Sequence, residues 1–291
     1  MSKTKAYLYI IIGAALWGLI GILVMMLAAQ GFTPLQIVNL RMLASSLCIT
    51  PVLIKLGKEQ FRIAFKDCWM FVGTGIISVA FFNYCYFSCI QASSLAVAAL
   101  LLYTAPAFGM LMSLVLFKEC FTAMKGVALV ATFLGCGMVT GALTGELNLS
   151  LQGILFGLGS GIGYAMYSIF GKYALVKYSS VTITAYTFYF AFLASLPLAD
   201  YSHCTATWNW GTVEGALGLG LVCAVFPYIM YTKGLQYVDA GQASILATIE
   251  PVVAAVVGVC LFAESLTMLK LVGILLVVGS IIALNLPGKR E

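Results

Sequence analysis

Ten apolar runs of roughly 20 residues follow one another along the 291-residue chain, and they constrain its fold more than any other feature. A helix that crosses the hydrocarbon core of a bilayer needs about 20 predominantly apolar residues. Only 9% of the residues are charged, whereas a soluble domain carries about 25%. The pattern therefore predicts an all-α integral membrane protein with ten transmembrane helices. The runs cover residues 6–28, 35–54, 68–90, 93–116, 124–142, 151–175, 181–200, 211–235, 241–263 and 268–287.

The remaining sequence excludes several classes of function. Ten spans use about 200 residues, so only short connections and no sizeable soluble domain are expected. The chain has no Walker motif, which excludes ATP hydrolysis by this chain. The single histidine, His203, lies in a predicted loop, and the nine cysteines show no C-x-x-C spacing. We therefore expect no metal, no cofactor, no disulfide framework and no enzymatic activity.

Lysine and arginine are distributed unevenly between the two sides of the predicted membrane. With the N-terminus in the cytoplasm, 13 of the 15 fall in cytoplasmic segments. The other two are Lys270, in an outer loop, and Arg41, within the second run. Because positive residues favour the cytoplasmic side, we predict a multi-pass protein of the cell membrane with both termini cytoplasmic. The net charge of +5 reflects this bias, together with a mild attraction to anionic lipid headgroups. No nucleic-acid partner is therefore expected. The thirteen are Lys3, Lys5, Lys55, Lys58, Arg62, Lys66, Lys118, Lys125, Lys172, Lys177, Lys233, Lys289 and Arg290.

A shift of 145 residues brings the first half of the chain into register with the second. The register pairs polar and conformationally special residues as well as apolar ones, which chance matching does not explain. We predict two repeats, residues 1–145 with helices 1–5 and residues 146–291 with helices 6–10. The matched pairs include Gly18 with Gly163, Tyr86 with Tyr231, Gln91 with Gln236, Pro106 with Pro251, Glu119 with Glu264, and Lys125 with Lys270.

Each repeat contains an odd number of spans, so the second must enter the membrane from the opposite side. Inverted repeats recur in secondary transporters, where movement of one half against the other exposes a midplane site to each side in turn. Some channels are also inverted repeats, so a channel stays open as an alternative. A membrane-embedded enzyme is disfavoured because Ser160 has no base nearby in sequence and no aspartate lies mid-span.

Two sequence segments, one in each half of the chain, resemble segments of a known family. They are Tyr103-Thr-Ala-Pro106 through Glu119 and Ile249-Glu-Pro251 through Glu264. With these segments and its ten spans, the chain resembles the EamA family of the drug/metabolite transporter superfamily. The resemblance covers essentially the whole chain and implies transport of a small metabolite, most often export. It also implies an arginine in the second span, which Arg41 matches, and a cavity lined by spans 1, 3, 4, 6, 8 and 9.

Glu250 is the one acidic residue deep within a predicted span. An ionisable side chain at the bilayer centre costs at least about 2.5–3.5 kcal/mol on insertion scales, so it indicates function. On a continuous helix Glu250 would share a stripe of small residues and point inward; these residues are Ala243, Ala247, Ala254 and Gly258. The functional interpretation is a proton-coupling group or a counter-charge for a cationic solute. The structural interpretation is a hydrogen-bond acceptor at the Pro251 kink.

Arg41 has three interpretations: snorkelling to the outer interface, pairing with Glu250, or binding a substrate carboxylate. The first two are structural roles, and we favour them. Glu119 and Glu264 lie at the ends of spans four and nine, where capping of the turn is expected. The alternate glycines from Gly157 to Gly163 lie within an apolar run and predict close helix packing instead of a nucleotide loop.

Aromatic residues concentrate in the spans that the resemblance assigns to the cavity. Tyrosine and tryptophan offer an apolar face with a hydrogen-bonding edge, which suits amines, aromatic solutes and zwitterions. Packing and interfacial anchoring are the alternatives. The candidate binding set is Glu250, Trp17, Asn83, Tyr84, Tyr103, Tyr164, Tyr228 and Arg41, with Tyr167, Phe226 and Tyr231 in the same clusters. Helix kinks that assist gating are predicted at Pro106, Pro227 and Pro251.

The resulting prediction is a secondary transporter of an amino acid, amine or drug-like solute that works by alternating access, with export favoured. Proton coupling through Glu250 and uncoupled transport both stay open. The alternative is an importer or facilitative exchanger of a small cationic or zwitterionic solute such as an amine or a choline-like compound. The expected partners are the small-molecule substrate, the lipid bilayer and, in the coupled case, protons. The sequence does not discriminate between a monomer and a homodimer.

Overall fold

The structure is a computed structural model that describes residues 1–143, 150–202 and 204–285. His203, Lys289 and Arg290, which entered the interpretation above, lie outside the described residues. Every regular element in the described ranges is helical. The α-helices are α1 (Lys3–Trp17), α2 (Ile20–Ala28), α3 (Pro34–Leu56), α4 (Cys68–Phe71), α5 (Phe82–Ala92), α6 (Leu95–Leu102), α7 (Ala105–Phe117), α8 (Ala123–Val139), α9 (Leu151–Leu175), α10 (Ser180–Ser195), α11 (Trp210–Gly220), α12 (Phe226–Leu235), α13 (Ala240–Leu246), α14 (Ile249–Phe262) and α15 (Met268–Asn285).

In the described ranges, seven helical segments are long and apolar enough to cross a membrane, which makes the chain an integral membrane protein. Three shorter apolar helices accompany them, over Ala123–Val139, Ser180–Ser195 and Met268–Leu284. The seven segments are Lys3–Ala28, Pro34–Leu56, Phe65–Ala92, Leu95–Phe117, Leu151–Leu175, Trp210–Leu235 and Ala240–Phe262. The all-helical membrane fold is thereby confirmed.

Two of the seven segments are interrupted just before a proline. Tyr103 and Thr104 separate α6 from α7, and Ala247 and Thr248 separate α13 from α14. Pro106 and Pro251 follow these breaks, and a proline has no N–H for the carbonyl four residues earlier. At each break a threonine hydroxyl donates to the carbonyl three residues back, at 2.6 Å in both cases. The exposed backbone is thus partly satisfied within the protein.

The break between α13 and α14 corrects one step of the sequence interpretation. We had placed Glu250 on a continuous helical stripe with Ala243 and Ala247, but those residues precede the interruption. Glu250 instead lies in the first turn of α14. Its inward position therefore comes from contacts across the bundle and not from a shared helical face.

Two π-helical stretches occur at related places in the chain. One covers Val72–Phe81 and the other Leu221–Val225. Shifted by 145 residues, positions 76–80 coincide with positions 221–225. The second stretch leads into Pro227, the third predicted kink. Such widened turns are frequent at functional sites because they turn side chains and free backbone groups.

The main helix contacts all join the part of the chain before residue 143 to the part after residue 150. The pairs are α1 with α12, α3 with α10, α5 with α9, α7 with α13, and α8 with α15. Between α8 and α15 the backbones approach closely at Gly135 and Gly273. A Cβ on Gly135 would lie 2.8 Å from the carbonyl oxygen of Gly273. The two parts therefore interleave, and the space between them is the place for a shared site.

Candidate functional site

A small cavity lies where α1, α9 and α12 meet the π-helical stretch before α5. Its empty volume is about 290 Å³, counting space that is open to solvent, and little of that volume is wide enough for a water molecule. That is room for a water or two and not for an amino acid. A solute of that size can enter only when the surrounding helices move apart. The lining residues are Trp17, Ser78, Phe82, Tyr164, Tyr167, Ser168, Tyr228 and Tyr231.

The wall of this cavity is an aromatic cluster around Trp17. The indole ring lies 6.2 Å from the ring of Tyr164, 5.2 Å from that of Tyr228 and 5.3 Å from that of Tyr231. Trp17 is buried, and its Nε1 has no hydrogen-bond partner within the described protein. Aromatic faces around a small space attract an ammonium group, and a free N–H can donate to an acceptor on a solute or water.

Glu250 borders the cluster through a hydrogen bond. The Tyr164 hydroxyl donates to Glu250 Oε2 at 2.9 Å. In the described residues no lysine or arginine lies within ion-pair distance of the Glu250 carboxylate. When ionised, this carboxylate therefore provides a negative charge without a directly paired cation beside the aromatic wall, which favours a cationic solute or a proton.

A second small cavity lies at the two helix breaks and meets the first at Tyr164. It encloses about 210 Å³ of empty space. Its lining residues are Leu102, Tyr103, Ala105, Pro106, Tyr164, Ser244, Ala247 and Thr248. Tyr164 thus lines both cavities, whereas Glu250 lines neither and is connected to them through its hydrogen bond with Tyr164. Interrupted helices at mid-membrane depth are a common way for transporters to present backbone groups to a solute.

Close packing at Gly18 holds Trp17 near Glu250. Gly18 follows α1, and a Cβ at this position would lie 2.7 Å from the Glu250 carbonyl oxygen and 2.7 Å from Val253 Cβ. Real Cβ atoms do not approach other atoms this closely, so only glycine lets the end of α1 contact the start of α14. The position of the aromatic wall relative to the acid depends on this contact.

Arg41 contacts the backbone of the second π-helical stretch. Its Nη2 donates to the carbonyl oxygen of Cys223 at 2.7 Å. Pro227, four residues after Cys223, has no N–H to donate to this carbonyl. Among the described residues Arg41 forms no ion pair with Glu250, and it does not line either cavity. This contact to a freed backbone carbonyl is none of the three interpretations given for Arg41 above.

The predicted lining residues fall into two groups. Trp17, Tyr164 and Tyr228 line the first cavity, and Tyr103 lines the second. Asn83 is buried, but its amide donates to the Val79 carbonyl of the preceding turn, at 2.8 Å, and it does not reach a cavity. The Asn83 amide thus hydrogen-bonds the backbone of its own helical segment.

Two aromatic residues from the predicted clusters lie on the outside of the bundle. Tyr84 is 41% exposed and packs edge-on against Phe156. Phe226 is 52% exposed. Both side chains therefore lie at the outer surface of the bundle, and neither lines one of the two cavities.

Three lining residues of the first cavity were not predicted: Ser78, Phe82 and Ser168. Ser168 follows Tyr164 by one helical turn, and its hydroxyl hydrogen-bonds the Tyr231 hydroxyl at 2.7 Å. A search for small polar residues four positions from a mid-span tyrosine would have found it. Ser78 and Phe82 depend on the π-helical stretch, which changes the face that each residue presents and leaves no clear mark in the sequence.

Comparison with known proteins bears on this arrangement. The model of the EamA-like transporter family matches residues 4–141 and again residues 151–286. An uncharacterized transporter of Archaeoglobus fulgidus is 35% identical over 202 residues, covering 68% of this chain and 71% of that protein. The threonine/homoserine exporter RhtA of Escherichia coli (strain K12) is 25% identical, with 72% and 68% of the two chains covered.

A relative of full length and a solved structure agree with this match. The uncharacterized transporter YwfM of Bacillus subtilis (strain 168) is 24% identical, covering 98% of this chain and 95% of its own. A crystal structure with 17% sequence identity superposes with a TM-score of 0.84 over 98% of both chains, which shows that the fold is shared. The chain therefore belongs to the EamA-like transporter family of the drug/metabolite transporter superfamily, and it is a transporter and not an enzyme.

Proposed function

We propose that this chain is a secondary transporter of small solutes that carry a protonated amine, such as amino acids and amines. The observation that carries the proposal is the Glu250 carboxylate, held by Tyr164 at 2.9 Å beside an aromatic wall and without a basic partner in the described structure. A buried carboxylate with aromatic neighbours recognises an ammonium group by charge and by cation–π attraction. Both cavities are too small for such a solute in this conformation, so binding requires the helices to separate.

Transport by alternating access is supported by features that recur 145 residues apart. The breaks before Pro106 and Pro251, the π-helical stretches and the left-handed residues Lys118 and Ala263 recur in this register. These pairs favour ten spans in two inverted five-helix repeats, and the distribution of lysine and arginine favours both termini in the cytoplasm of the cell. Maleimide labelling of a cysteine at Phe65 from the cytoplasm and of one at Leu266 from outside tests this arrangement.

Export is the favoured direction because RhtA is named as an exporter and the family resemblance implies export. Protons are the proposed coupling ion, with Glu250 binding either the proton or the amine. The alternative is an importer or facilitative exchanger of a choline-like compound. The aromatic cluster favours this alternative, because aromatic rings also suit a quaternary ammonium group. In this cluster the rings of Tyr228 and Tyr231 lie 5.2 and 5.3 Å from the indole ring of Trp17.

Counterflow in proteoliposomes tests the proposal. The purified protein is reconstituted with a high internal concentration of amino acids, amines or quaternary ammonium compounds, and uptake of labelled external solute is followed. We expect saturable, transient accumulation for a subset of the cationic and zwitterionic solutes and none for carboxylates without an amine. Flux that rises linearly with concentration would indicate a channel. Preference for quaternary over primary amines would favour the alternative, and uptake without efflux in cells would reverse the direction.

A further inference from the structure

The same nine-residue pattern, F-x-E-x-x-T-x-x-K, joins two helices in each half of the chain. We call residues 117–125 the first turn segment and residues 262–270 the second turn segment. Their backbones match closely: Lys118 has φ 53° and Ala263 has φ 54°. In each segment the threonine side chain caps the next helix by accepting from the N–H of the lysine, at 3.3 and 3.2 Å.

The first turn segment binds the other half of the chain. Glu119 Oε1 accepts from the backbone N–H of Ala240, the first residue of α13, at 3.0 Å, and lies 3.4 Å from Lys172 Nζ. Lys125 Nζ lies 2.8 Å from Asp239 Oδ2. The Glu119 side chain is only 9% exposed, so it is not the solvated residue that its position at a helix end suggests. Three polar contacts therefore hold the two halves together at this end of the bundle.

Within the described part of the chain, the second turn segment makes no corresponding contact. Glu264 pairs instead with Lys270 of its own segment, at 2.9 Å, and is 52% exposed. Its carboxylate rests over the last turn of its own helix, where a Cβ on Gly258 would lie 2.9 Å from Glu264 Cδ. By the 145-residue register, the partner equivalent to Ala240 is Leu95, the first residue of α6.

The helices that precede the two turn segments, α7 and α14, also differ in how they pack against the other half of the chain. α7 packs closely on α13, since a Cβ on Gly241 would lie 2.9 Å from Met110 Cα. The equivalent helices α6 and α14 do not pack along each other in the described structure. Among the described residues the first turn segment is therefore joined to the other half of the chain and the second is not. Near the start of α6 the halves meet through other residues, such as Ser150, whose hydroxyl donates to the Ala92 carbonyl at 2.8 Å. Two segments with the same sequence pattern and backbone occupy two different states in one molecule.

We propose that the two turn segments form paired ionic gates that engage in turn. In the present state Glu119 binds the start of α13 and Glu264 is held by Lys270. In the opposite state Glu264 binds the backbone N–H of Leu95 at the start of α6, and Glu119 turns to Lys125. Each carboxylate thus exchanges a lysine of its own segment for a backbone N–H of the other half, as Glu119 Oε1 now accepts from Ala240 N–H. This inference rests on the alternating access proposed above.

Distance measurements by double electron–electron resonance test the gates without any solute. One spin-label pair, at Leu116 and Tyr237, reports the Glu119 end, and a second pair, at Leu95 and Leu261, reports the Glu264 end; all four residues are exposed. We expect Glu119→Gln to raise the ratio of the opposite state to the present one by about fivefold or more, with the first distance lengthening and the second shortening. Glu264→Gln should shift the ratio in the other direction.

The opposite signs separate a gate from a merely structural role. Glu59→Gln, which removes an exposed carboxylate paired only with Arg62, is the control and should leave both distances unchanged. Asp239→Asn, which keeps Glu119, replaces Glu119→Gln if that variant does not fold and should give a smaller shift of the same sign. Shifts of the same sign in Glu119→Gln and Glu264→Gln, or no shift in either, would overturn the gates. Opposite shifts without saturable counterflow would instead remove the transport proposal and leave the gates.

Discussion

Replacing Glu250 with glutamine is expected to lower counterflow of amine-bearing solutes, measured as kcat/KM, by about 30-fold or more. Glutamine keeps the size of the side chain and can still accept from Tyr164, but it removes the negative charge. Removing one partner of a buried charge pair costs roughly 2–5 kcal/mol, and each 1.4 kcal/mol is about a tenfold change. The measurement is initial-rate counterflow in proteoliposomes with matched amounts of reconstituted protein.

Two variants make this result specific. Tyr164→Phe keeps the carboxylate and the ring and removes only the 2.9 Å hydrogen bond, so its loss should be smaller than that of Glu250→Gln. Glu59→Gln, at an exposed position, should behave as wild type. If protons are coupled through Glu250, the rate of the wild type changes with pH and that of Glu250→Gln does not. Equal kcat/KM in Glu250→Gln and wild type would remove Glu250 from the binding site.

Replacing Gly18 with alanine is expected to destabilise the protein and to impair transport, although it adds one methyl group. The new Cβ would lie 2.7 Å from both the Glu250 carbonyl oxygen and Val253 Cβ, so α1 and α14 must separate. Overpacking of this kind costs about 1–3 kcal/mol. Because Trp17 is adjacent, the separation also displaces the aromatic wall from Glu250. Thermal unfolding of the purified protein and counterflow of the same preparation measure the two effects.

Gly21 provides a matched control three residues further along the chain. A Cβ on Gly21 meets no atom within 4 Å, and the residue lies within α2. Gly21→Ala should therefore leave the Tm unchanged or raise it slightly, because alanine favours a helix over glycine by about 1 kcal/mol. A Gly18→Ala protein as stable and active as Gly21→Ala would show that the contact between α1 and α14 is not tight.

The sequence predicted the parts of the site that depend on span number and on rare residue types. Glu250 stands out because a charge within an apolar run is costly. Trp17 and Tyr164 were found because bulky amphipathic residues lie at mid-span. The all-helical membrane fold followed from hydropathy alone, since each span must satisfy its own backbone groups.

What the sequence could not supply was the face that each residue presents. Tyr84 and Tyr164 look equivalent in a hydropathy profile, yet one faces outward and the other contacts Glu250. The π-helical stretch before α5 turns its residues away from ideal α-helical periodicity, so Ser78 and Phe82 were missed. The partner of Arg41 was hidden for a related reason, because a freed carbonyl such as that of Cys223 has no signature of its own in the sequence.

Thiol accessibility at Ser78 tests the central claim most directly, namely that one site between the halves opens to each side in turn. Ser78 lines the cavity beside Trp17, and it is replaced by cysteine in a protein from which the native cysteines have been removed. An impermeant methanethiosulfonate reagent is applied from outside or trapped inside oriented proteoliposomes. The account predicts modification from both sides, slowed in each case by the solute that shows counterflow. Modification from one side only, or no protection by that solute, would contradict it.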